Sequence, residues 1–424
     1  MKMGRLLSRA FLAAFAAAGF AALPAMAGSA GESRVGSIYR PYVEPSATEL
    51  ADTPPPPGFA PFYVSHYGRH GSRRLADASL ADALAVLEKA AEEDSLTEAG
   101  RELAGVLRRV AAVHDGMEGM LTERGAAEHR AIAGRMAARF PEVFHPGGIV
   151  RCRATHVPRC IMSMANFSLG LKDAAERLDI ALETGETLYR LFTHRTNGDA
   201  VPKDEALSAC REPVKAIVDA DALCARLFRV HAPEERTRFA LDLFTCACVC
   251  RCLSSELGGL DLCRFFTAEE REAFSRALEI LHYGDMGNSE EFGPRRIPAT
   301  LPLARDIVER ADEAIADGRI AADLRFGHDS GLWPLAGRLG LEGAGDRAPL
   351  ADAWRVCPAG KWMTMAANLQ MVFYRNAAGE VLVKFLYNER ETRIRGLEPV
   401  AGVYYRWDDL LSTLQQPNND ISGR

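Results

Sequence analysis

The segment Phe62–Tyr67 and the residues after it constrain the fold more than any other part of the sequence. Its aromatic and β-branched residues predict a short buried strand, which runs directly into Gly68-Arg69-His70-Gly71-Ser72-Arg73. Three cationic or potentially cationic side chains within five residues repel one another, so at the end of a buried strand they need a compensating anion. The planar fork of an arginine guanidinium binds phosphate oxygens in pairs. The sequence therefore predicts a phosphate-binding turn directly after a strand.

Strand and helix signals alternate along much of the chain. Further strands are predicted over 148–154, 323–327, 369–374 and 381–387, and helices over 122–140, from Pro158 and over 303–316. This alternation predicts an α/β fold with a mixed central sheet flanked by helices, in which ligands bind beyond the carboxyl ends of the strands. The polar stretches 69–73, 153–159 and 328–329 are therefore expected to converge on one site.

The first residues have the pattern of a targeting segment. Lys2, Arg5 and Arg9 precede an apolar run, and Ala25-Met26-Ala27 has the small-x-small form of a signal-peptidase site. Residues 1–27 are therefore predicted to be a signal peptide, and the protein is expected to be periplasmic or secreted. No other stretch is long and apolar enough to span a bilayer, so no stable membrane insertion is expected after cleavage.

Composition and pattern divide the rest of the chain into three parts. Residues 28–58 are polar and Pro-rich and are expected to form an extended lead-in. An α/β core is predicted over 59–165 plus 296–424, interrupted by a mainly helical cap inserted at 166–295. The site is expected in the cleft between core and cap.

The charge balance limits the classes of partner. The sequence has 51 Lys+Arg against 57 Asp+Glu, a net charge of −6. A general nucleic-acid binder normally carries a basic excess, so no nucleic-acid partner is expected. A small cationic pocket is compatible with this balance, and the expected partner is a small-molecule phosphate ester.

Four cysteines alternate with other residues at Cys246, Cys248, Cys250 and Cys252. Such a run could hold a metal, or it could be a set of buried or disulfide-bonded cysteines in an apolar helix. Zinc sites usually have at least two residues between paired ligands, which favours the second interpretation.

The polar stretches contain the groups that a phosphatase without a metal requires. His70 can be the nucleophile, because a neutral imidazole nitrogen can attack phosphorus and give a phosphohistidine. Arg69, Arg73 and a distant arginine can hold the phosphoryl oxygens, and His328 can donate a further hydrogen bond. Asp329 can protonate the leaving oxygen and then act as the base that activates water. No metal or cofactor is needed for this chemistry.

Four segments resemble the histidine acid phosphatase family, which includes phytases and multiple inositol polyphosphate phosphatases. They are Arg69-His70-Gly71-Ser72-Arg73, Leu121-Thr122-Glu123-Arg124-Gly125, Arg153-Ala154-Thr155-His156-Val157-Pro158-Arg159 and His328-Asp329. The resemblance implies the histidine phosphatase fold, which is related to that of phosphoglycerate mutase, with a helical cap. It also implies that Arg159 grips phosphate and that Asp329 is the proton donor.

The sequence specifies the reaction more narrowly than the substrate. His328-Asp329-Ser330 stands where the inositol polyphosphate branch often has H-A-E, and Leu75 replaces the proline usual after the signature. In contrast, Leu332-Trp333-Pro334-Leu335 and Leu386-Tyr387-Asn388-Glu389 are similar to that branch. Inositol polyphosphates such as phytate are therefore the first expectation, and sugar phosphates or nucleotides the alternative.

Competing chemistries lack their own residues. No cysteine has an arginine six residues later, and no D-x-H occurs, so neither the cysteine phosphatase loop nor a two-metal phosphoesterase site is supported. A phosphoglycerate mutase-like protein shares the R-H-G start, but its usual acid is glutamate. A non-catalytic phosphoester-binding protein would keep the arginines without requiring His70 or Asp329.

Overall fold

The structure, a computed structural model, describes residues 35–196 and 201–415. The predicted signal peptide and the first residues of the lead-in lie outside this part of the chain. The strands are β1 Ala60–Arg69, β2 Ile149–Thr155, β3 Asp179–Gly185, β4 Ile320–Gly327, β5 Asn368–Arg375, β6 Val381–Tyr387, β7 Arg390–Thr392 and β8 Tyr404–Arg406. The helices are α1 Ser79–Glu92, α2 Glu98–His114, α3 Glu123–Arg139, α4 Pro158–Ala174, α5 Glu186–Leu191, α6 Lys203–Ala209, α7 Arg211–Lys215, α8 Ala220–Leu227, α9 Arg236–Cys250, α10 Ala268–Met286, α11 Gly293–Arg296, α12 Leu301–Asp317, α13 Asp329–Leu339, α14 Ala353–Val356, α15 Ala359–Trp362 and α16 Trp407–Gln415.

All eight strands belong to one mixed sheet, in the order β3-β2-β4-β1-β5-β6-β7, with β8 also paired to β6. The strands β3, β2, β4 and β1 run parallel, and β5 pairs antiparallel with β1. Helices flank the sheet, so the predicted α/β fold with a mixed central sheet is confirmed. The five strands predicted from the sequence are all present within a few residues of their predicted bounds.

The two central strands are buried on both faces, as parallel strands covered by helices are. The tyrosines Tyr63 and Tyr67 of β1 pack in one hydrophobic cluster, and Val64 packs in the other. All eight residues of β4 are buried. The carboxyl ends of β1 and β4 lie side by side, because Arg69 pairs in register with Gly327.

Two helices that approach these strand ends begin where the sequence predicts. The hydroxyl of Thr122 accepts a hydrogen bond from Gly125 N at 3.2 Å and caps α3. Pro158 occupies the first turn of α4, where its missing N–H costs no helix hydrogen bond. Helices α3 and α4 pack against each other beside the sheet.

The predicted cap at 166–295 begins too early in the chain. Residue 166 lies inside α4, and residues 179–185 form β3, which pairs with β2 at the edge of the sheet. Strand β3 lacks the alternation of apolar and polar residues that marks a half-buried strand, because five of its seven residues are exposed. The mainly helical segment starts at α5 and extends to about residue 300, and its helix α9 packs on α1.

The lead-in packs closely against the core. A 3₁₀ turn at Ser37–Tyr39 is buried, and Tyr42 is buried a few residues later. The Arg251 side chain donates to the carbonyl of Val35 at 2.7 Å. Apart from short turns, residues 40–59 have no regular structure.

The four alternating cysteines lie in α9 and in the 3₁₀ turn that follows it. All four are buried and unpaired as thiols, and burial raises their pKa values. The interpretation as buried cysteines in an apolar helix is confirmed. Within the described ranges, no helix is long and apolar enough to cross a membrane.

Candidate active site

Three elements deliver the predicted residues to one place. Strand β1 ends at Arg69, and β4 ends at Gly327, immediately before His328. The backbone N–H of His70 donates to the carbonyl of Gly327 at 3.0 Å, which joins the two turns. Helix α4 carries Arg159 in its first turn. The polar stretches thus converge beyond the carboxyl ends of the strands.

The imidazole of His70 is buried and held in one tautomer. Its Nδ1 lies 3.0 Å from the carbonyl oxygen of Gly71, and a carbonyl can only accept, so Nδ1 carries the proton. The Nε2 atom therefore keeps its lone pair. Burial, followed by the charges of Arg159, Arg69 and Arg73, holds the pKa of His70 well below its usual value. The ring is neutral, as a nucleophile must be.

Arg69 links the signature turn to the lead-in and to Asp329. Its Nη1 donates to the carbonyls of Ile38 at 2.5 Å and Met363 at 2.9 Å. Its Nη2 lies 2.8 Å from Oδ2 of Asp329, and the guanidinium is fully buried. The position of Arg69 is thus fixed on one side by backbone carbonyls and on the other by a carboxylate.

Two further guanidinium groups have spare donors. Arg73 donates from Nη1 to the carbonyl of Arg74 at 2.7 Å and lies over the ring of Tyr39, 5.7 Å from its centroid. For Arg159, no hydrogen bond or ion pair is found among the described residues. The Nε atoms of both Arg73 and Arg159 are buried without a partner. Unsatisfied guanidinium donors in a buried site are suited to an anion.

The His328 ring lies beside His70, with ring centroids 5.8 Å apart. Its Nε2 lies 3.2 Å from the hydroxyl of Thr155, and the thiol of Cys160 donates to the carbonyl of Gly327 at 3.3 Å. Burial and the charge of Arg159 lower the pKa of His328 to about 3. His328 is therefore neutral and can donate only one hydrogen bond at a time.

Asp329 is the one carboxylate among the six predicted site residues. Burial alone would raise its pKa, but the cations around it, first Arg69, hold the pKa of this carboxyl well below its usual range. The N–H of Ser330 donates to its Oδ1 at 2.9 Å. Asp329 is thus ionised in the ligand-free site, and an acid role requires a change in its surroundings.

Two glycines allow the turn to lie against α3. A Cβ atom on Gly71 would stand 2.6 Å from the carbonyl oxygen of Gly125, and one on Gly125 would stand 2.2 Å from that of Ser72. Both contacts are with backbone atoms, so neither position accepts a side chain without displacing the turn. The R-H-G-x-R and L-T-x-x-G segments are therefore complementary surfaces.

Some polar residues near the signature segments lie outside the site. Arg153 forms a two-pronged ion pair with Asp306, at 2.8 and 2.6 Å, and Arg325 binds the same carboxylate. His66 packs between aromatic rings, with Phe326 at 5.4 Å, which makes it a core residue. Arg153 is therefore held in an ion pair with Asp306.

Other contacts of the site have no signal in the sequence. Tyr39 reaches Arg73 from the lead-in, and Tyr189 of α5 meets His328 edge to face with centroids 5.6 Å apart. The ring of His156 also packs on Tyr189, with centroids 5.3 Å apart. These are contacts between distant parts of the chain, and no local pattern marks them. Within the described residues, no group of three or more His, Cys, Asp or Glu side chains has the arrangement of a metal site.

The mixed sheet with its flanking helices is the fold of the histidine acid phosphatases, and the resemblance predicted from the sequence is confirmed. The chain is similar to the crystal structure of a Bifidobacterium longum multiple inositol polyphosphate phosphatase in complex with inositol hexasulfate, with a TM-score of 0.79. The two are 20% identical, and the match covers 91% of this chain and 98% of that one. The phytase from D. castellii matches with a TM-score of 0.65 and 14% identity, covering 91% of this chain and 85% of that one.

In sequence, the chain is similar to multiple inositol polyphosphate phosphatase 1 from Gallus gallus. The identity is 25%, and the match covers 64% of this chain. The chain spans 64% of the length of that curated relative. No family model matches the chain.

Proposed function

We propose that the protein is an exported phosphomonoesterase that hydrolyses phosphate esters through a phosphohistidine at His70, with inositol polyphosphates such as phytate as its substrates. The observation that carries the proposal is the convergence of a neutral buried imidazole with three arginines and a carboxylate at the ends of β1 and β4. Inositol phosphates are suggested by the similarity to multiple inositol polyphosphate phosphatases and a phytase.

In the first step, Nε2 of His70 attacks phosphorus and forms a P–N bond. The P–O bond to the leaving group breaks, and the electron pair goes to the alcohol oxygen, which takes a proton from Asp329. Arg73 and Arg159 use their spare donors on the phosphoryl oxygens, and His328 supplies a further hydrogen bond. The site binds the transferring group while its charge is redistributed, which is the main requirement of phosphoryl transfer.

In the second step, water attacks the phosphohistidine. The P–N bond breaks, and its electron pair returns to Nε2 of His70. The carboxylate of Asp329 accepts a proton from the water, so the same residue is acid in one step and base in the next. Inorganic phosphate leaves, and His70 is again neutral.

Asp329 must take up a proton from solvent when the substrate binds. A bound phosphate dianion offsets the charge of Arg69, and this raises the pKa of Asp329 from its low value in the ligand-free site. The protonated acid is then populated at acidic pH. An acidic optimum is the expected consequence.

Two further features support the remaining parts of the proposal. The segment 1–27 favours export to the periplasm or outside the cell. The helical segment from α5 onward brings Tyr189 to the edge of the site, so we propose that it acts as a cap that influences substrate choice.

A panel of phosphate esters tests this function. We expect wild-type protein to hydrolyse inositol hexakisphosphate, with a higher kcat/KM than a sugar phosphate or a nucleotide. The variant His70→Ala should lose at least about 1,000-fold in kcat. A preference for sugar phosphates or nucleotides would overturn the substrate assignment, but the proposed reaction through a phosphohistidine would still stand. If wild type and His70→Ala both bind phosphate esters and neither hydrolyses one, the chain is a binding protein.

A further inference from the structure

A buried carboxylate on α3 lies directly under the signature turn. Glu128 accepts hydrogen bonds from the backbone N–H of Ser72 at 2.8 Å, from the Ser72 hydroxyl at 2.7 Å and from the backbone N–H of Tyr42 at 3.1 Å. No ion pair of Glu128 with a lysine or arginine is found in the described part of the chain. Three donors that all point to one carboxylate require a group that only accepts.

The two hydrogen bonds from Ser72 to Glu128 fix the turn between His70 and Arg73. Ser72 follows Gly71 and precedes Arg73, and its carbonyl also accepts from the N–H and the hydroxyl of Thr122, at 2.9 and 3.0 Å. The N–H, hydroxyl and carbonyl of Ser72 are thus all bound to α3 or its cap. Arginines of like charge on either side of the turn repel one another, and these bonds hold the turn against that repulsion.

The hydrogen bond from the Tyr42 N–H to Glu128 fixes the lead-in. Tyr42 lies a few residues after Ile38, whose carbonyl accepts from Arg69, and after Tyr39, whose ring lies against Arg73. The Tyr42 hydroxyl donates to Glu389 at 2.8 Å, so this residue is held at both ends. One carboxylate therefore ties together the two chain segments that set the positions of both arginines.

We propose that Glu128 is a positioning residue for the phosphoryl-transfer reaction, which holds the turn 69–73 and the lead-in in register through Ser72 and Tyr42. The inference rests on the proposed function. A glutamine at this position would be nearly the same size but would present an N–H₂ group to a donor. At least one of the three hydrogen bonds to residue 128 must therefore be lost.

The test compares Glu128→Gln with Asp323→Asn. Asp323 is also a buried carboxylate with three hydrogen bonds, to Arg151 at 2.8 and 2.6 Å and to the Tyr63 hydroxyl at 2.9 Å, but it lies in the middle of β4. For Glu128→Gln we expect kcat to fall about 10- to 100-fold and KM to change less, because a misplaced nucleophile lowers the rate of the chemical step. For Asp323→Asn we expect a comparable loss of melting temperature with kcat within about twofold of wild type.

Several outcomes would overturn the inference. An unchanged kcat in Glu128→Gln would do so, and so would an equal loss of kcat in both variants at equal melting temperature. If Glu128→Gln does not fold, Ser72→Ala removes only the hydrogen bond from the Ser72 hydroxyl to Glu128. We then expect a loss of kcat of about fivefold, as one hydrogen bond of about 1 kcal/mol would give, and no loss would refute the proposal.

The two proposals fail separately. A wild-type protein that hydrolyses no phosphate ester would refute the proposed function and leave the geometry of the turn in question. Calorimetric titration with inorganic phosphate then decides the inference. We expect Glu128→Gln to weaken phosphate binding about tenfold, because Arg73 directly follows Ser72. Equal affinities would contradict it.

Discussion

Asp329 and Arg69 form an ion pair inside the candidate site, with Oδ2 of Asp329 2.8 Å from Nη2 of a fully buried guanidinium. The pair joins the carboxyl end of β4 to that of β1. Arg69 is the first of the cations that hold the pKa of Asp329 low, so an anion that offsets the charge of Arg69 would raise that pKa.

The acid role predicts a dependence on the leaving group. Asp329→Asn keeps the shape of the side chain and removes the acidic proton. It should lower kcat for esters of poor leaving groups by about 100-fold or more, and kcat for esters of nitrophenol much less. Steady-state kcat on an alkyl phosphate and an aryl phosphate provides the comparison. Equal losses on both would remove the assignment of Asp329 as proton donor.

The buried histidines predict how stability depends on pH. Burial lowers the pKa values of His66, His129 and His328 to about 3, while in the unfolded chain they titrate near 6.5. Between these values the unfolded state binds more protons. The free energy of unfolding is therefore highest above about pH 6.5 and falls as the pH drops toward 3, by about 1.4 kcal/mol per pH unit for each histidine.

Urea unfolding at several pH values measures this slope. His129→Leu should flatten the dependence of the free energy of unfolding on pH by up to about 1.4 kcal/mol per pH unit, because the variant lacks one of these titrating rings. A free energy of unfolding that does not vary between pH 6.5 and 4 would contradict the neutral, buried state of these rings.

The close approach of α3 to the signature turn predicts opposite effects for two glycines of the same helix. Gly125→Ala places a Cβ atom 2.2 Å from the Ser72 carbonyl oxygen, so it should destabilise the protein by about 1–3 kcal/mol and lower activity by displacing the turn. Gly134→Ala meets no atom within 4 Å and should stabilise the helix by about 0.5–1 kcal/mol. Thermal unfolding and kcat of both variants check this, and similar behaviour of the two would refute it.

The ion-pair cluster beneath the site predicts a large loss of stability. Asp306 binds Arg153 at 2.6 Å and Arg325 at 2.8 Å, and both guanidinium groups are buried. Asp306→Ala leaves two buried cations without their carboxylate, so the free energy of unfolding should fall by about 3–5 kcal/mol. Chemical denaturation measures the change, and a loss below about 1 kcal/mol would show that water replaces the carboxylate.

The parts of the fold that the sequence predicts are those with strong local patterns. Strand β1 and the helix start at Thr122 follow from β-branched and aromatic residues and from a capping signal. Strand β3 was not predicted because its exposed edge position removes the apolar alternation, and β7 and β8 have only three residues each. The cap boundary was misplaced for the same reason.

The residues of the candidate site also fall into those that a local sequence pattern marks and those that only the fold brings together. The six predicted residues lie in short motifs, so the sequence could name them. Tyr39, Tyr189 and Glu128 reach the turn from separate segments, and only the folded chain brings them there. The ionised state of Asp329 also depends on the distance to Arg69, which no spacing in the sequence specifies.

If phosphate passes through a covalent bond to His70, the stereochemistry at phosphorus records it. A phosphate ester made chiral with oxygen isotopes is hydrolysed in isotopically labelled water, and the configuration of the inorganic phosphate is determined. Each in-line displacement inverts the configuration. Two displacements, on His70 and then on water, predict net retention, whereas net inversion would mean that water attacks the ester directly and would contradict the phosphohistidine.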